Sequence, residues 1–547
     1  MIKDLPIGSS DFRDLILKGQ YYVDKTEMIE NLLKQRNKVS LFPRPRRFGK
    51  SLFISMLDNF FNIEYKDINN HLFDGLYISR SELYNNLSTR PVICLNFKEL
   101  KQDTYEEMLD KFKEMIMQLY KSKKYIYNSL DELDKNLFNS FINKTADYAN
   151  YTNSIKYLTE MMYKYYGMRV LVLIDEYDVP IEHSFVKNYY DNTISLIKDV
   201  FGSALKDNNY LDFSVMTGVL RVSKESLFSD LNNPQIYSIV DKKYNEAFGF
   251  NERETKELLE YYNLELNEDV KNMYDGYNFG GTEIYNPWSI LNYAAKKELI
   301  SYWVNTSANE LIYEVVKNCY SDIKVKIEKL LLGEKIEFIY NDKVTYRDFK
   351  ILNDSDNVFN LLLASGYLTM IKEKALNFNV EVTYVKIPNK EVKYLFSNIL
   401  LKILSNYNIN IRRVVDFCNA VFDNNKEELE KILNNMLPSL SVHDINENGY
   451  HMYVMGLFNL FTNDDNYIVY SNRESGNGRF DVMIKDKKFN KGIILEFKVT
   501  KDDLEKSAIK GLEQIEEKEY YMDLVYEGYK EINKFVIVFK GKKCIVR

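Results

Sequence analysis

Two rhythms of apolar residues alternate along this chain. Short runs rich in β-branched side chains stand at VSLFP (39–43), PVICLNF (91–97), MRVLVLI (168–174) and LDFSVM (211–216). Between them, Leu, Ile, Met and aromatic residues recur at helical spacing. Leu15, Ile16, Ile29, Leu32 and Leu33 predict helices flanking the first strand. Strands apolar throughout, separated by helical spans, predict a parallel sheet covered on both faces. Residues 245–310 read as helical and aromatic with a turn at YDGYNFGG (274–281), and residues 311–405 mix helix and strand signals. From about 406 the pattern changes: helices such as KEELEKILNNML and YHMYVMGLFNLF precede a block of strands, with RESGNGRFDVMI (473–484) and IILEFKVT (493–500) reading as a hairpin. The expected divisions are 1–245, 246–405 and 406–547, an α/β chain throughout.

Composition supports ordered domains. The chain has 547 residues, enough for about three domains at ~150 residues each. Hydrophobic residues make up 45% and charged residues 28%, which argues against disorder. A net charge of −7 excludes a basic nucleic-acid coat, so any nucleic-acid contact must use a local patch. Cys94, Cys319, Cys418 and Cys544 are too scattered for a metal site or a disulfide framework. The N-terminus MIKDLPIGSSDFRD has no apolar signal region, and no apolar run approaches the ~20 residues of a membrane span. A cytoplasmic protein that does not enter the membrane is expected.

The first candidate chemistry lies in VSLFPRPRRFGKS (39–51), where a strand meets a helix through Gly49-Lys50-Ser51. Amides exposed at a helix N-terminus, with the helix dipole behind them, favour an anion. Lys50 is placed to reach the β/γ-phosphates of a nucleotide, ATP, and the Ser51 hydroxyl to hold Mg²⁺. The general pattern G-x-x-x-x-G-K-S wants glycine at position 44, where this chain has Arg44, and Pro45 removes a backbone donor. Gly-Lys-Ser by itself is a weak signal. Arg46, Arg47, Phe48, Gly49, Lys50, Ser51 and Leu52 are the candidate nucleotide contacts. YYVDKT (21–26) either packs or lines the same pocket.

Corroboration comes from the third strand, which ends in Asp175-Glu176. A carboxylate at the C-terminal edge of a parallel sheet stands where ligands bind in this architecture. Asp175 is expected to position Mg²⁺ with Ser51, and Glu176 to act as general base towards water. The plainer alternative is an ordinary strand ending in an acidic loop. The fourth strand ends at Thr217, which can sense a γ-phosphate. Arg221, just beyond, either neutralises transition-state charge in cis or forms a surface salt bridge.

PIGSSDF, YYVDKT, RPRRFGKS, VLIDEYD, TGVLRVSKESLFSDLNN, YDGYNFG, YNPWSILNY and YWVNTSAN, in this order, resemble the bacterial AAA-ATPase-like family. The resemblance covers about residues 1–300. It implies a P-loop ATPase with a helical or winged-helix lid, often fused to a C-terminal nuclease. The family's loop is RPRRFGK followed by Ser or Thr, so Arg44 conforms to the family while departing from the general rule. LLLASGYLTM (361–370) also belongs to the resemblance, with no chemistry assigned to it.

The second candidate site is in the C-terminal strands. Asp481 is expected to open the first strand of the hairpin, and Glu496 and Lys498, two apart, project from one face of the second. Charges flanked by Ile-Ile-Leu are costly to bury without partners. Two carboxylates at a hairpin end can hold a hard divalent cation, and Lys498 can stabilise phosphorane charge. The alternative is an ion-paired surface hairpin. The spacing D-x14-E-x-K resembles the PD-(D/E)XK nuclease superfamily and implies a restriction-endonuclease-like α/β domain. That resemblance places an accessory glutamine at Gln514 on the following helix and an extra acidic metal ligand at Glu447 on an earlier one. Arg479 either contacts phosphate or pairs with Glu474.

The expected function is an ATP-dependent nuclease acting on nucleic acid, DNA foremost, with ATP and Mg²⁺ as cofactors and Mn²⁺ as an alternative in the nuclease. Two others stand beside it: a nucleotide switch of oligomeric state with the nuclease as effector, and a nucleic-acid grip that does not cut.

Overall fold

The computed structural model describes residues 2–69, 71–220, 234–303, 321–341, 355–374, 381–405, 411–437, 458 and 466–547. The chain divides into two compact units, Met1–Trp303 with Ile339–Met370, and Val304–Phe338 with Ile371–Arg547. Residues 246–303, expected as a lid, therefore share a unit with the first sheet.

That sheet comprises β1 (Val39–Pro43), β2 (Val92–Asn96), β3 (Val170–Asp175), β4 (Leu211–Gly218) and β5 (Gln235–Ile236), in the order β2-β3-β4-β1-β5. Every pairing in it is parallel. Apolar runs without alternation suit this position, since helices cover both faces. β1 and β3 are buried along their whole length. β5 was too short to be legible in the sequence. The order inserts β4 between the phosphate-loop strand β1 and the acidic strand β3. The register then sets Phe42 beside Thr217, Met216 beside Ile174, and Asn96 beside Asp175. The polar tips of β2, β3 and β4 and the end of β1 thus stand side by side at one sheet edge. The flanking helices expected near the N-terminus are Phe12–Leu17 and Glu27–Gln35.

The expected lid is less helical than its composition suggests. It holds helices Glu252–Tyr261, Glu268–Tyr274 and Pro287–Lys296 with an antiparallel sheet of β6 (Phe250–Asn251), β7 (Tyr277–Phe279) and β8 (Thr282–Tyr285), order β6-β8-β7. The YDGYNFGG turn is the β7–β8 hairpin, closed by Gly280 and Gly281 at positive φ. Asn286 caps the last helix, accepting from Trp288 N at 2.9 Å. Three further strands, β9 (Ile336–Glu337), β10 (Thr369–Lys374) and β11 (Glu381–Lys386), pair in the order β10-β11-β9.

In the second unit β12 (Tyr467–Ser475), β13 (Gly478–Asp486), β14 (Lys491–Val499), β15 (Glu531–Lys540) and β16 (Lys543–Val546) form a sheet in chain order. Only β14 and β15 run parallel, and helix Leu504–Glu517 makes the crossover between them. RESGNGRF spans a hairpin turn between β12 and β13, so Asp481 lies three residues inside its strand rather than at its start. Both faces of the sheet are apolar. Val482, Ile493, Leu495, Phe497, Phe535 and Ile537 pack with helices Ile411–Phe422 and Lys426–Met436. Met483, Ile494, Val536 and Val538 pack with Ala508 and Ile515 of the crossover helix.

That helix approaches β15 closely through Gly511, where an added Cβ would stand 2.5 Å from a Val536 methyl. Gly511→Ala is expected to destabilise this unit by roughly 1–3 kcal/mol through overpacking, against a helix-propensity gain of at most ~1 kcal/mol. A lower urea midpoint with an unchanged slope would register it; a midpoint at or above wild type would refute the close contact.

Candidate functional site

The phosphate loop joins β1 to helix Lys50–Phe61. Gly49 is the N-cap in the left-handed region, φ 92°, and no side chain caps this end. Nothing lies within 4 Å of where its Cβ would be, so the first amides of the helix face open space. Lys50 is buried, and its Nζ donates to Arg44 O and Pro45 O, each at 3.1 Å. It makes no ion pair among the described residues. Ser51 stands close enough to Asp175 to oppose the rise of its pKa, and Leu52 is half-buried one position further on.

Arg44, standing where the general pattern wants glycine, is fully buried and turned away from the phosphate side. It donates to Tyr244 O at 3.0 Å and to Tyr237 O at 2.5 Å, with its guanidinium 5.1 Å from the Phe248 ring centre. Burial pulls its pKa down to about 9. The neighbouring residues are held as firmly. Pro45 packs under Gly366, Arg46 donates to Glu182 at 2.6 Å, Arg47 lies 4.5 Å over the Trp288 ring, and Phe48 sits against Tyr277 and Phe279.

At the end of β3, Asp175 accepts from Thr217 Oγ1 at 2.6 Å and from Asn96 Nδ2 at 3.0 Å. Burial raises its pKa, while Ser51 and Thr217 oppose the shift. Glu176 is half-buried with a φ of 55°, a left-handed conformation that a non-glycine residue rarely adopts. Asp178 then takes the amides of Val219 and Leu220 on one oxygen, at 2.7 and 2.8 Å. Burial pushes its carboxyl up to about 6. A Cβ on Gly218 would stand 2.5 Å from the Tyr177 ring, so the exit of β4 is bolted to the turn carrying Glu176. Arg221 lies outside the described residues. YYVDKT proves to be a structural tie: Lys25 bonds both Glu254 oxygens at 2.7 Å, and Asp24 accepts from Thr26 and Tyr77.

The second cluster forms where β13 and β14 part. Ladder pairing reaches Val482–Leu495, and one step beyond it the Asp481 side chain takes the Phe497 amide at 2.6 Å. Phe480 and Val482 pack into opposite cores, so the strand's alternation breaks at Asp481. Glu496 is 2% exposed. Its Oε1 accepts from Lys498 Nζ at 2.7 Å and from Gln514 Nε2 at 2.8 Å, and Gln514 also bonds the buried Tyr520 hydroxyl at 2.7 Å. Its Oε2 is buried without a hydrogen-bond partner. Burial, then the nearby Asp481 charge, push the Glu496 carboxyl up to about 7. Glu474 and Arg479 are direct cross-strand partners. Glu447 lies outside the described residues, and among those described no three acidic, His or Cys side chains cluster.

Comparison with known proteins finds a match in each of the two parts of the chain that carry these residues. Residues 6–228 match the family model described as predicted AAA-ATPase, and residues 445–547 that of the PD-(D/E)XK nuclease superfamily. The chain joins an AAA-ATPase-like domain to a PD-(D/E)XK nuclease superfamily domain. A protein described as an uncharacterized protein in the vnfD 5′ region of Azotobacter chroococcum mcd 1 is 26% identical over 405 residues, 73% of this chain and 70% of that one. No solved structure matches. No described helix is long and apolar enough to cross a membrane.

In the AAA-ATPase-like domain the residues read from the sequence converge on one sheet edge, apart from Arg47 and Phe48, which face the lid. Sequence reading missed Asn96, Asp178 and the structural task of Arg44. In the nuclease-superfamily domain Asp481, Glu496, Lys498 and Gln514 come together, and Tyr520 joins them. A tyrosine six residues after Gln514, in the turn just past the helix end at Glu517, was the available signal.

The Glu496 shift has a stability consequence. Its folded pKa is raised above the unfolded value, so its favourable contribution is fully present below pH ~4.5. That contribution is lost as pH rises through about 7. Without divalent metal, Glu496→Gln should raise the melting temperature at pH 8, with the gain fading by pH 5. Equal melting of the two proteins across pH 5–8 would show that Glu496 is not a buried charge.

Proposed function

We propose that the N-terminal domain binds and hydrolyses ATP and that the C-terminal domain hydrolyses phosphodiester bonds in nucleic acid, DNA foremost, with the ATPase gating or remodelling the target. One observation carries the nuclease reading. Glu496 is a buried carboxylate with one oxygen tied to Lys498 and Gln514 and the other without a donor, beside a second carboxylate. An orphaned acidic oxygen in such a place fits a hard cation, Mg²⁺ or Mn²⁺. Asp481 and Glu496 would hold it, with Glu447 as the additional ligand, and it would supply Lewis-acid polarisation of the phosphate. Lys498 stabilises the charge that grows on the phosphorane. Gln514, fixed by Tyr520, holds Glu496 in its rotamer.

For the ATPase, the cradle is the uncapped helix start with Lys50, Ser51 and Asp175. Lys50, held only by carbonyl oxygens, is free to exchange them for phosphate oxygens. Ser51 and Asp175 would hold Mg²⁺, which neutralises phosphate charge. Glu176 takes the proton of the attacking water, and Thr217 orients Asp175; an arginine near the γ-phosphate would neutralise the transition-state charge, with Arg221 and the loop arginines as the candidates. A slower nucleotide switch is favoured by a separate observation: each residue from Arg44 to Phe48 packs against a neighbouring element of its unit, so phosphate binding would be felt there. ATP turnover with and without DNA separates the two readings.

Lys50→Ala should abolish ATP binding, and Glu176→Gln should keep binding but lose hydrolysis by ~10²–10⁴-fold. Titration and steady-state turnover check both; wild-type ATP affinity in Lys50→Ala would remove the loop from the site.

Asp481→Ala and Glu496→Ala should each stop metal-dependent cleavage of linear, circular, single-stranded or RNA substrates, while ATP hydrolysis persists. Lys498→Ala should bind metal without cutting, and the double carboxylate variant should be no worse than either single one. Cleavage by the double variant at the wild-type rate would leave the domain a nucleic-acid grip.

A further inference from the structure

The three loop arginines have been given different environments. Arg44 is committed to backbone carbonyls in the interior, and Arg47 is exposed and stacked on Trp288. Of the three, Arg46 alone forms an ion pair among the described residues. Its partner Glu182 lies in the first turn of helix Val179–Val186, which starts directly after the Asp175–Asp178 turn. Burial by itself would lower the Arg46 pKa, but Glu182 first and Glu176 next reverse this and hold it above the ordinary arginine value. The guanidinium is therefore within electrostatic reach of the carboxylate read as the general base.

A segment to which the sequence assigned no chemistry packs beside this part of the loop. In the ASGYL segment, Gly366 has φ +84°, and a Cβ there would stand 2.7 Å from Pro45 Cβ. Tyr367, 3% exposed, lies tilted against Trp303 with ring centres 5.0 Å apart, and its phenol pKa is raised by burial first, with Arg46 opposing and Glu182 adding to the shift. Pro45 fixed under Gly366 leaves the Arg46 side chain, rather than the backbone, as the part able to swing. The Glu182 partnership is a single 2.6 Å contact, not a two-pronged one. A triphosphate entering beside Lys50 would offer that guanidinium a denser negative charge than one carboxylate.

We propose that Arg46 is a catalytic residue of the ATPase, stored on Glu182 and transferred to the γ-phosphoryl group as its negative charge spreads in the transition state. Glu182 is only its resting partner before the triphosphate arrives. Hydrolysis requires no partner arginine on this account, and Arg221 is not the charge neutraliser.

The proposal rests on the ATPase reading, and its test separates the two. Arg46→Ala should lower kcat by roughly 10²–10³-fold, with ADP and ATP affinities within a few-fold of wild type. Binding of ADP with aluminium fluoride, which mimics the transferring group, should be lost. Arg46→Lys should recover part of the rate, and Arg221→Ala should still bind ADP with aluminium fluoride. Glu182→Gln should keep or raise kcat, because it frees Arg46. Wild-type kcat and aluminium fluoride binding in Arg46→Ala would overturn the proposal. So would equal loss of ADP and ATP binding there, or a fall in Glu182→Gln matching that of Arg46→Ala. If Lys50→Ala retains ATP affinity, the ATPase reading itself falls. If Lys50→Ala loses affinity while Arg46→Ala behaves as wild type, only the role of Arg46 falls.

Discussion

A carboxylate buried at the end of a strand costs several kcal/mol unless partners offset its lost hydration, and both domains are arranged around such a group. Asp175 receives two side-chain donors, from Thr217 and Asn96, one on each oxygen, with Ser51 close by. Glu496 receives Lys498 and Gln514 on one oxygen and nothing on the other. The difference is chemical. Asp175 is satisfied by its own sheet edge and can hold its orientation before any ion arrives. Glu496 remains electrostatically incomplete, next to a second carboxylate, so a cation improves it more.

Strand order decides who can meet whom. Because β4 lies between β1 and β3, the loop that carries Lys50 and the turn that carries Glu176 are separated by one strand width, and Thr217 fills that gap. Asp178 and Tyr177 then clamp the exit of β4 to the turn. A ligand binding across this edge therefore acts on one connected set of backbone and side-chain contacts. The loop's arginines extend the set: Arg44 anchors it to the interior, while Arg46 keeps a charged contact on the catalytic side. An arginine in place of glycine is tolerated at position 44 because its side chain leaves the phosphate side altogether.

The two sites needed different kinds of information. Glu496 and Lys498 were readable as a pair, since strand geometry puts alternate residues on one face, and Gly49-Lys50-Ser51 was readable because a glycine before a helix frees its amides. The parallel sheet was likewise carried by unbroken apolar runs. β5, the β7–β8 hairpin and the turn that moves Asp481 inside its strand were not readable: β5, β7 and β8 are only two to four residues long, and β5 depends on β1, far back along the chain. The same holds for YYVDKT, whose lysine could have faced a nucleotide but pairs with Glu254, 229 positions away.

What the sequence by itself determined is therefore the chemistry available: which acids, which lysines, which glycine turn, and that strands and helices alternate around them. Local periodicity and backbone sterics suffice for that. What only the tertiary structure decided is partnership. Arg44, Arg46 and Arg47 are near-identical in sequence terms, yet one is structural, one is paired with acid and one is stacked on tryptophan. Asn96, Asp178 and Tyr520 became part of the sites only when strands from far along the chain brought them within hydrogen-bond distance. A hydrogen bond or a burial cost is set by what lies within a few ångströms, and chain separation says nothing about that until the sheets close.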